Sequence, residues 1–105
     1  MNVSEFCKKL WHISSSYHWN LDDNRVVATI QSGPHRGYTL NPITALAHKH
    51  GRGFFENTRN GTEEAARYLG LSRNFARNVY SATLATNNHG NTQVLRGRIR
   101  SALEV

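Results

Sequence analysis

Residues 72–78, SRNFARN, carry side chains that can form paired hydrogen bonds with the edges of nucleic-acid bases. A guanidinium such as that of Arg73 or Arg77 can donate hydrogen bonds to the O6 and N7 atoms of guanine at the same time. The amide of Asn74 can do the same with N6 and N7 of adenine. Ser72 stands before them as a candidate helix N-cap, and the free backbone N–H groups at a helix start can hold a phosphate. These side chains are therefore suited to bind the phosphates and the base edges of a nucleic acid.

A single helix can place these polar side chains on one face. The apolar residues Phe75, Ala76 and Val79 have helical spacing and are expected to face the core. Asn78 is then expected to face solvent beside the two arginines and the first asparagine. The alternative is that these polar residues only solvate the outer face of a surface helix.

The sequence around this helix, TEEAARYLGLSRNFARNVYS at residues 62–81, predicts two short helices joined by a glycine turn. With Thr62 as the first of twenty positions, Ala66 is the fifth, Gly70 is the ninth and Leu71 follows the glycine. On these residues the segment resembles the bacterial helix-turn-helix DNA-binding motif. That motif favours a small residue at the fifth position, where the second helix crosses close by, and glycine at the ninth, where the turn needs a positive φ. Leu71 is suited to fill the angle between the helices.

The resemblance covers about twenty of the 105 residues and implies that the second helix enters the major groove of duplex DNA. Arg73, Asn74 and Arg77, near the start of that helix, are the expected base contacts. The motif class also implies a possible homodimer on two half-sites about one helical turn apart. A packing corner between two helices, with no role in DNA binding, can produce the same pattern and stays open as the alternative.

Further arginines are candidates for contacts with phosphates. Arg96, Arg98 and Arg100 lie within five positions of the last predicted helix, where they could clamp a phosphate backbone. Arg36, at the tip of a predicted hairpin, is a weaker candidate because the hairpin of winged helix-turn-helix proteins commonly follows the recognition helix. Here the hairpin precedes it, so the winged family is not matched.

The charge distribution agrees with a polyanionic partner. The chain has a formal net charge of +6 and a pI near 10.1. Between Arg73 and Arg100 there are five arginines and no acidic residue. Duplex DNA in transcriptional control is the predicted function. The alternative is a small phage- or bacterium-encoded inhibitor or adaptor that binds a protein or nucleoprotein complex through the same basic surface.

The residue types argue against an enzyme, a cofactor and a metal site. Cys7 is the one cysteine, and His48 and His50 at i, i+2 on a helix point to different faces, whereas paired helical ligands prefer i, i+4. A nuclease using a histidine with Asp22 or Asp23 is the enzymatic alternative, but metal-dependent nucleases usually need several converging carboxylates. The histidines considered for that role are His18, His35 and His89.

The first half of the chain predicts a helix, a hairpin and a second helix. Apolar residues spaced as on one helix face predict a helix over residues 3–14, with Ser4 as its N-cap. The β-branched run at 25–30 predicts a strand, which residues 38–40 pair with across the turn at 32–37. Residues 17–23 are expected to be a connection. Asn41-Pro42 is suited to begin the next helix.

The second half predicts three more helices. Thr62 is the expected N-cap of the first, which stops at Gly70, and Ser72 is the expected N-cap of the second, which runs to about residue 85. The last is expected over residues 92–103. His50, which continues the apolar stripe of the preceding helix, is expected to be partly buried and hydrogen-bonded. The fold class is α+β, mainly α, with about five short helices in a single domain of 105 residues.

The location of the protein is expected to be cytoplasmic. Lys8, Lys9 and His12 interrupt the N-terminal apolar positions, so no signal-peptide pattern is present. No apolar run approaches membrane-spanning length.

Overall fold

A computed structural model describes residues 2–21, 26–84 and 90–104 of the chain. These residues form an α+β fold that is mainly helical, which confirms the predicted fold class. The α-helices are α1 (Val3–Ile13), α2 (Pro42–Lys49), α3 (Arg59–Tyr68), α4 (Arg73–Ala82) and α5 (Gly90–Leu103). The strands are β1 (His18–Asn20), β2 (Val27–Thr29) and β3 (Thr39–Leu40), and a short 3-10 turn, Ser14–Ser16, follows α1.

The three strands form an antiparallel sheet in the order β1-β2-β3. The predicted hairpin is present as β2 and β3, with Ala28 opposite Leu40. Gly37 donates its N–H to the carbonyl of Ile30 at 3.0 Å, and its φ of 90° is the positive value that favours glycine. The strand β1 was predicted as a connection, which is wrong. It has only three residues, and its central Trp19 is half-buried between exposed neighbours, so the alternation is too short to recognise.

The first two helices are close to the predicted ones. The helix α1 buries Phe6, Leu10 and Ile13, but its N-cap is Asn2 rather than Ser4. The helix α2 begins after Asn41 as predicted, with a capping box and with proline at its first position.

The histidine expected to be buried at the end of α2 is a different one. His50 is exposed, so that prediction is wrong, and His48 is the half-buried histidine with a hydrogen bond. His50 is the C-cap, where the helix ends and the apolar stripe no longer continues.

The helix α3 begins four residues before the predicted start, since Thr62 was the predicted N-cap. Thr58 is its N-cap, and the Thr58 hydroxyl accepts from the N–H of Gly61 at 3.0 Å. Thr62 is fully buried inside the helix, where its hydroxyl donates to the carbonyl of Thr58 and accepts from the amide of Asn41. The earlier start moves Glu63 from the first turn to the middle of α3.

The core joins the helices to one face of the sheet. Its largest fully buried apolar side chains include Phe6, Leu10, Leu40, Ile43 and Leu46. Phe75 of α4 packs edge-on against Phe6 of α1, with ring centroids 5.2 Å apart. This contact fixes α4 by its inner face and leaves its outer face uncovered by the described residues.

Three of the sequence predictions fall partly outside the described residues. Arg25, at the start of the predicted strand, lies outside them. So do Asp22, Asp23 and His89, on which the nuclease alternative depends. The helix α4 ends at Ala82, whereas its predicted end at residue 85 also lies outside.

Candidate nucleic-acid interface

The α3–α4 corner, residues 59–82, is a tight turn between two helices. Gly70 has a φ of 72°, as the sequence predicted for this position. The N–H of Leu71 donates to the carbonyl of Ala66 at 2.8 Å, which closes the end of α3. Ala66 and Leu71 are both buried in the corner. A larger residue at Ala66 would enter a closely packed interior, so the two helices hold a fixed relation to each other.

The helix α4 has one buried face and one exposed face. Ala76, Val79 and Ala82 are buried, because they recur with helical spacing toward the core. Asn74 and Asn78 are exposed, as predicted. Ser72 is exposed too, and its Oγ accepts from the N–H of Phe75 at 3.1 Å, which confirms its role as the N-cap.

The two arginines of α4 share a carboxylate that the sequence did not indicate. The Nε of Arg73 lies 3.1 Å from Oε1 of Glu63, and the Nε of Arg77 lies 2.9 Å from the same oxygen. The side chains of Arg73 and Arg77 remain 71% and 40% exposed, whereas that of Glu63 is only 17% exposed. Hydrogen bonds from Arg77 and then Arg73 lower the pKa of Glu63, so the carboxylate is charged at neutral pH.

A shallow groove with a volume of about 290 Å³ lies beside Arg77. It is lined by Arg59, Arg77, Tyr80, Ser81 and Leu84. Arg59 enters this surface because α3 begins earlier than predicted. The Asn57-Thr58 pair is the sequence signal that could have placed that start, since threonine is a favoured N-cap.

The three arginines of α5 do not form the predicted clamp. Arg96 is buried, only 5% exposed, and its Nη1 lies 3.4 Å from the carbonyl of Ala82 at the end of α4. The prediction that Arg96 contacts phosphate is therefore wrong. A guanidinium at this place stabilises a C-terminal carbonyl that has no partner within its own helix.

The other two α5 arginines turn to different neighbours. Arg98 is exposed and donates from Nη2 to the hydroxyl of Ser4 at 3.0 Å. Arg100 is half-buried, with its Nη2 3.5 Å from Oε1 of Glu104. Both keep contact with solvent, so their predicted role at a phosphate backbone stays a prediction.

Arg36 is exposed on the hairpin turn. Its neighbour His35 stacks on Phe54 with ring centroids 4.1 Å apart and planes 3° from parallel. Tyr38 meets the ring of Phe54 edge-on at 5.3 Å. These ring contacts join the hairpin turn that carries Arg36 to the loop between α2 and α3. No described contact joins Arg36 to α4, so its role also stays a prediction.

The described residues hold no group of three or more histidine, cysteine or acidic side chains that could bind a metal ion. Among the helices described, none has the length and apolar content to cross a membrane. Comparison of the chain with protein-family models, with curated proteins and with solved structures finds no match.

Proposed function

We propose that this protein binds duplex DNA through the outer face of α4 and acts in transcriptional control. The observation that carries the proposal is the arrangement of α4. A helix fixed from behind by the α3–α4 corner presents Arg73, Asn74, Arg77 and Asn78 on its uncovered side. Helices held in this way are suited to the width of the major groove.

The charge of this surface supports the same function. The segment from Arg73 to Leu84 contains no acidic residue. Glu63 compensates one of the two arginine charges, and Arg59 adds another positive charge at the start of α3. The surface therefore keeps a positive charge that attracts the phosphate backbone, while the asparagines and arginines offer donors to base edges.

The regulatory role and a homodimer are parts of the proposal that come from the motif class. Two copies on half-sites about one helical turn apart would double the contact area and the charge brought to DNA. The alternative partner is an acidic protein or a nucleoprotein complex, which the same arginines would meet through carboxylates.

Fluorescence anisotropy with a labelled random duplex, measured over a salt series, tests the proposal. The variant Arg73→Ala/Arg77→Ala removes two positive charges from α4. The matched control Lys8→Ala/Arg67→Ala removes two positive charges from exposed positions on α1 and α3. We expect the first variant to lose about tenfold or more in affinity and the control to lose much less.

Two results would contradict the proposal in different ways. Equal losses in the two variants would mean that net charge alone, and not α4, brings the protein to DNA. No binding of wild type even at low salt would remove the DNA function. A pull-down for acidic protein partners would then test the adaptor alternative.

A further inference from the structure

Arg73 and Arg77 use the same part of their guanidinium groups to contact Glu63. In both residues the donor is Nε, and both bonds end on one oxygen, Oε1. The terminal nitrogens Nη1 and Nη2 of both residues form no hydrogen bond with any other residue that the structure describes. Each guanidinium is therefore held at Nε, while its two terminal nitrogens, Nη1 and Nη2, stay available to a ligand.

A fork of two parallel N–H groups is the part of arginine that matches O6 and N7 of guanine. An arginine on the surface normally loses side-chain entropy when it is fixed in one rotamer, and this cost weakens the contact it makes. The bonds to Glu63 restrict the rotamers of both arginines before any ligand arrives, and they restrict the less exposed Arg77 more than Arg73. The carboxylate itself is held on the middle of α3, whose relation to α4 is set by the buried corner at Ala66 and Leu71.

We propose that Glu63 is a positioning residue that directs the forks of Arg73 and Arg77 to two nearby guanines and so gives the protein a preference for G-containing duplexes. This inference rests on the proposed function. It names the base that the α4 surface reads and a residue that contacts no DNA itself.

The spacing of the two arginines limits how far apart the guanines lie. Four residues along an α-helix rise about 6 Å, and stacked bases along one strand are about 3.4 Å apart. The shared oxygen also holds the two Nε atoms no farther apart than the sum of their two distances to it. The preferred guanines are therefore within about two base-pair steps of each other.

A competing role for Glu63 is simple charge competition, in which the carboxylate occupies the arginines and repels phosphate. The two roles differ in what a substitution does to base preference. Under competition, removing the charge strengthens binding to every duplex by the same factor. If Glu63 positions the arginines, removing its charge preserves or strengthens the overall affinity for duplexes but lowers the preference for guanine.

The test measures dissociation constants for two duplexes of equal length, one with adjacent G·C pairs and one with A·T pairs only, at one salt concentration. Glu63→Gln removes the charge, so its amide oxygen can still accept from both Nε atoms but only through weaker bonds without charge assistance. Glu63→Asp keeps the charge but shortens the side chain, so one oxygen no longer reaches both Nε atoms. The matched control is Glu64→Gln, since Glu64 is an exposed neighbour on the same helix with no ion pair among the described residues.

We expect wild type and Glu64→Gln to prefer the G-containing duplex by about tenfold, and both Glu63 variants to lose most of that ratio. Urea unfolding of each variant confirms that the fold is retained. An unchanged ratio in both Glu63 variants, with wild type still binding DNA, would overturn this inference and leave the proposed function standing. Equal affinity of wild type for the two duplexes would overturn it too. Failure of wild type to bind either duplex would instead overturn the proposed function and the inference with it.

Discussion

At the scale of single side chains, Tyr17 and His48 form a short hydrogen bond between the sheet side of the core and α2. The Oη of Tyr17 lies 2.6 Å from Nδ1 of His48 and 3.3 Å from the carbonyl of Ala45. Burial raises the pKa of Tyr17 to about 12, so its hydroxyl keeps the proton at neutral pH. That proton is donated either to Nδ1 of His48 or to the carbonyl of Ala45, according to which ring nitrogen of the neutral imidazole carries its hydrogen. Burial, and then the positive charges of His35 and Lys49, lower the pKa of His48. Neutral His48 is therefore the form that the folded protein favours.

This preference predicts a pH dependence of stability. Unfolded His48 titrates near 6.5, above the lowered pKa of the folded state, so the unfolded chain binds the proton first as the pH falls. The contribution of His48 to the free energy of unfolding is complete above pH 6.5 and is lost as the pH falls below it. We expect urea midpoints to decrease from pH 7 to pH 5 in wild type and to decrease less in His48→Gln.

The exposed histidine His50 supplies the control for this measurement. His50→Gln removes a titrating group two residues away that has no hydrogen bond of its ring among the described contacts, and it should keep the wild-type pH dependence. The pKa of Glu63 is lowered from its usual value of 4.5, so its contribution to the free energy of unfolding is present above pH 4.5 and is lost at more acidic pH. The titration of Glu63 therefore lies below the pH range of this measurement. If His48→Gln and wild type lose stability in parallel, His48 is not the group responsible.

At the scale of elements, Asn41 connects the start of α2 to α3. Its Oδ1 accepts from the N–H groups of Ile43 and Thr44 at 2.9 and 3.1 Å. Its Nδ2 donates to Oγ1 of Thr62 at 2.7 Å and to Oδ1 of Asn57 at 2.9 Å. Asn41 is fully buried, and its amide uses both acceptor sites and both donors. The same residue therefore caps one helix and fixes the position of the next.

The substitution Asn41→Asp separates these two roles. Aspartate is as good an N-cap as asparagine, but it has no N–H to donate to Thr62 or Asn57. Thr62 can supply a proton only by giving up the bond that its hydroxyl donates to the carbonyl of Thr58, and Asn57 only by turning its amide. Either change leaves a buried negative charge with fewer favourable hydrogen bonds than the asparagine has, and we expect the free energy of unfolding to fall by about 2–4 kcal/mol.

The matched control is Asn2→Asp at the N-cap of α1. Asn2 is exposed, and its described side-chain bond is the one that Oδ1 accepts from the N–H of Glu5 at 2.9 Å. This cap needs only an acceptor, so the substitution should change the free energy of unfolding by less than about 0.5 kcal/mol. Similar losses in the two variants, measured by urea unfolding at neutral pH, would show that Asn41 acts only as a cap.

The elements that the sequence predicted well are those whose signals are local. Asn41-Pro42 marks the start of α2, and Gly70 marks the turn before α4, because capping and positive φ are decided within a few residues. The start of α3 was predicted wrongly because threonine is a residue type favoured at the N-cap, and Thr62 was taken as that cap. Its hydroxyl instead bonds Asn41, which is 21 residues away in the chain. Such long-range partners leave no local pattern.

At the scale of the whole molecule, the outer face of α4 could be predicted and its electrostatic setting could not. The helical spacing of the apolar residues was enough to predict that Asn74 and Asn78 are exposed. The pairing of Glu63 with both arginines depends on how α3 packs against α4, and the burial of Arg96 depends on where the end of α4 meets α5. A count of arginines in sequence therefore overstated the basic surface, because one of them is used to stabilise the end of a helix.

The burial of Arg96 changes what the salt dependence of DNA binding should show. With Arg96 inside, α5 can offer only Arg98 and Arg100 to phosphates, and each phosphate contact contributes about 0.9 to the slope of log K against log salt concentration. We expect Arg98→Ala/Arg100→Ala to reduce that slope by about 2 while the preference for G-containing duplexes stays at the wild-type value, because phosphate contacts carry no base information. The slope is read from anisotropy titrations over a salt series, with Lys8→Ala/Arg67→Ala as the charge-matched control. A slope equal to that of wild type would place α5 away from the DNA and leave α4 and Arg59 as the contacting surface.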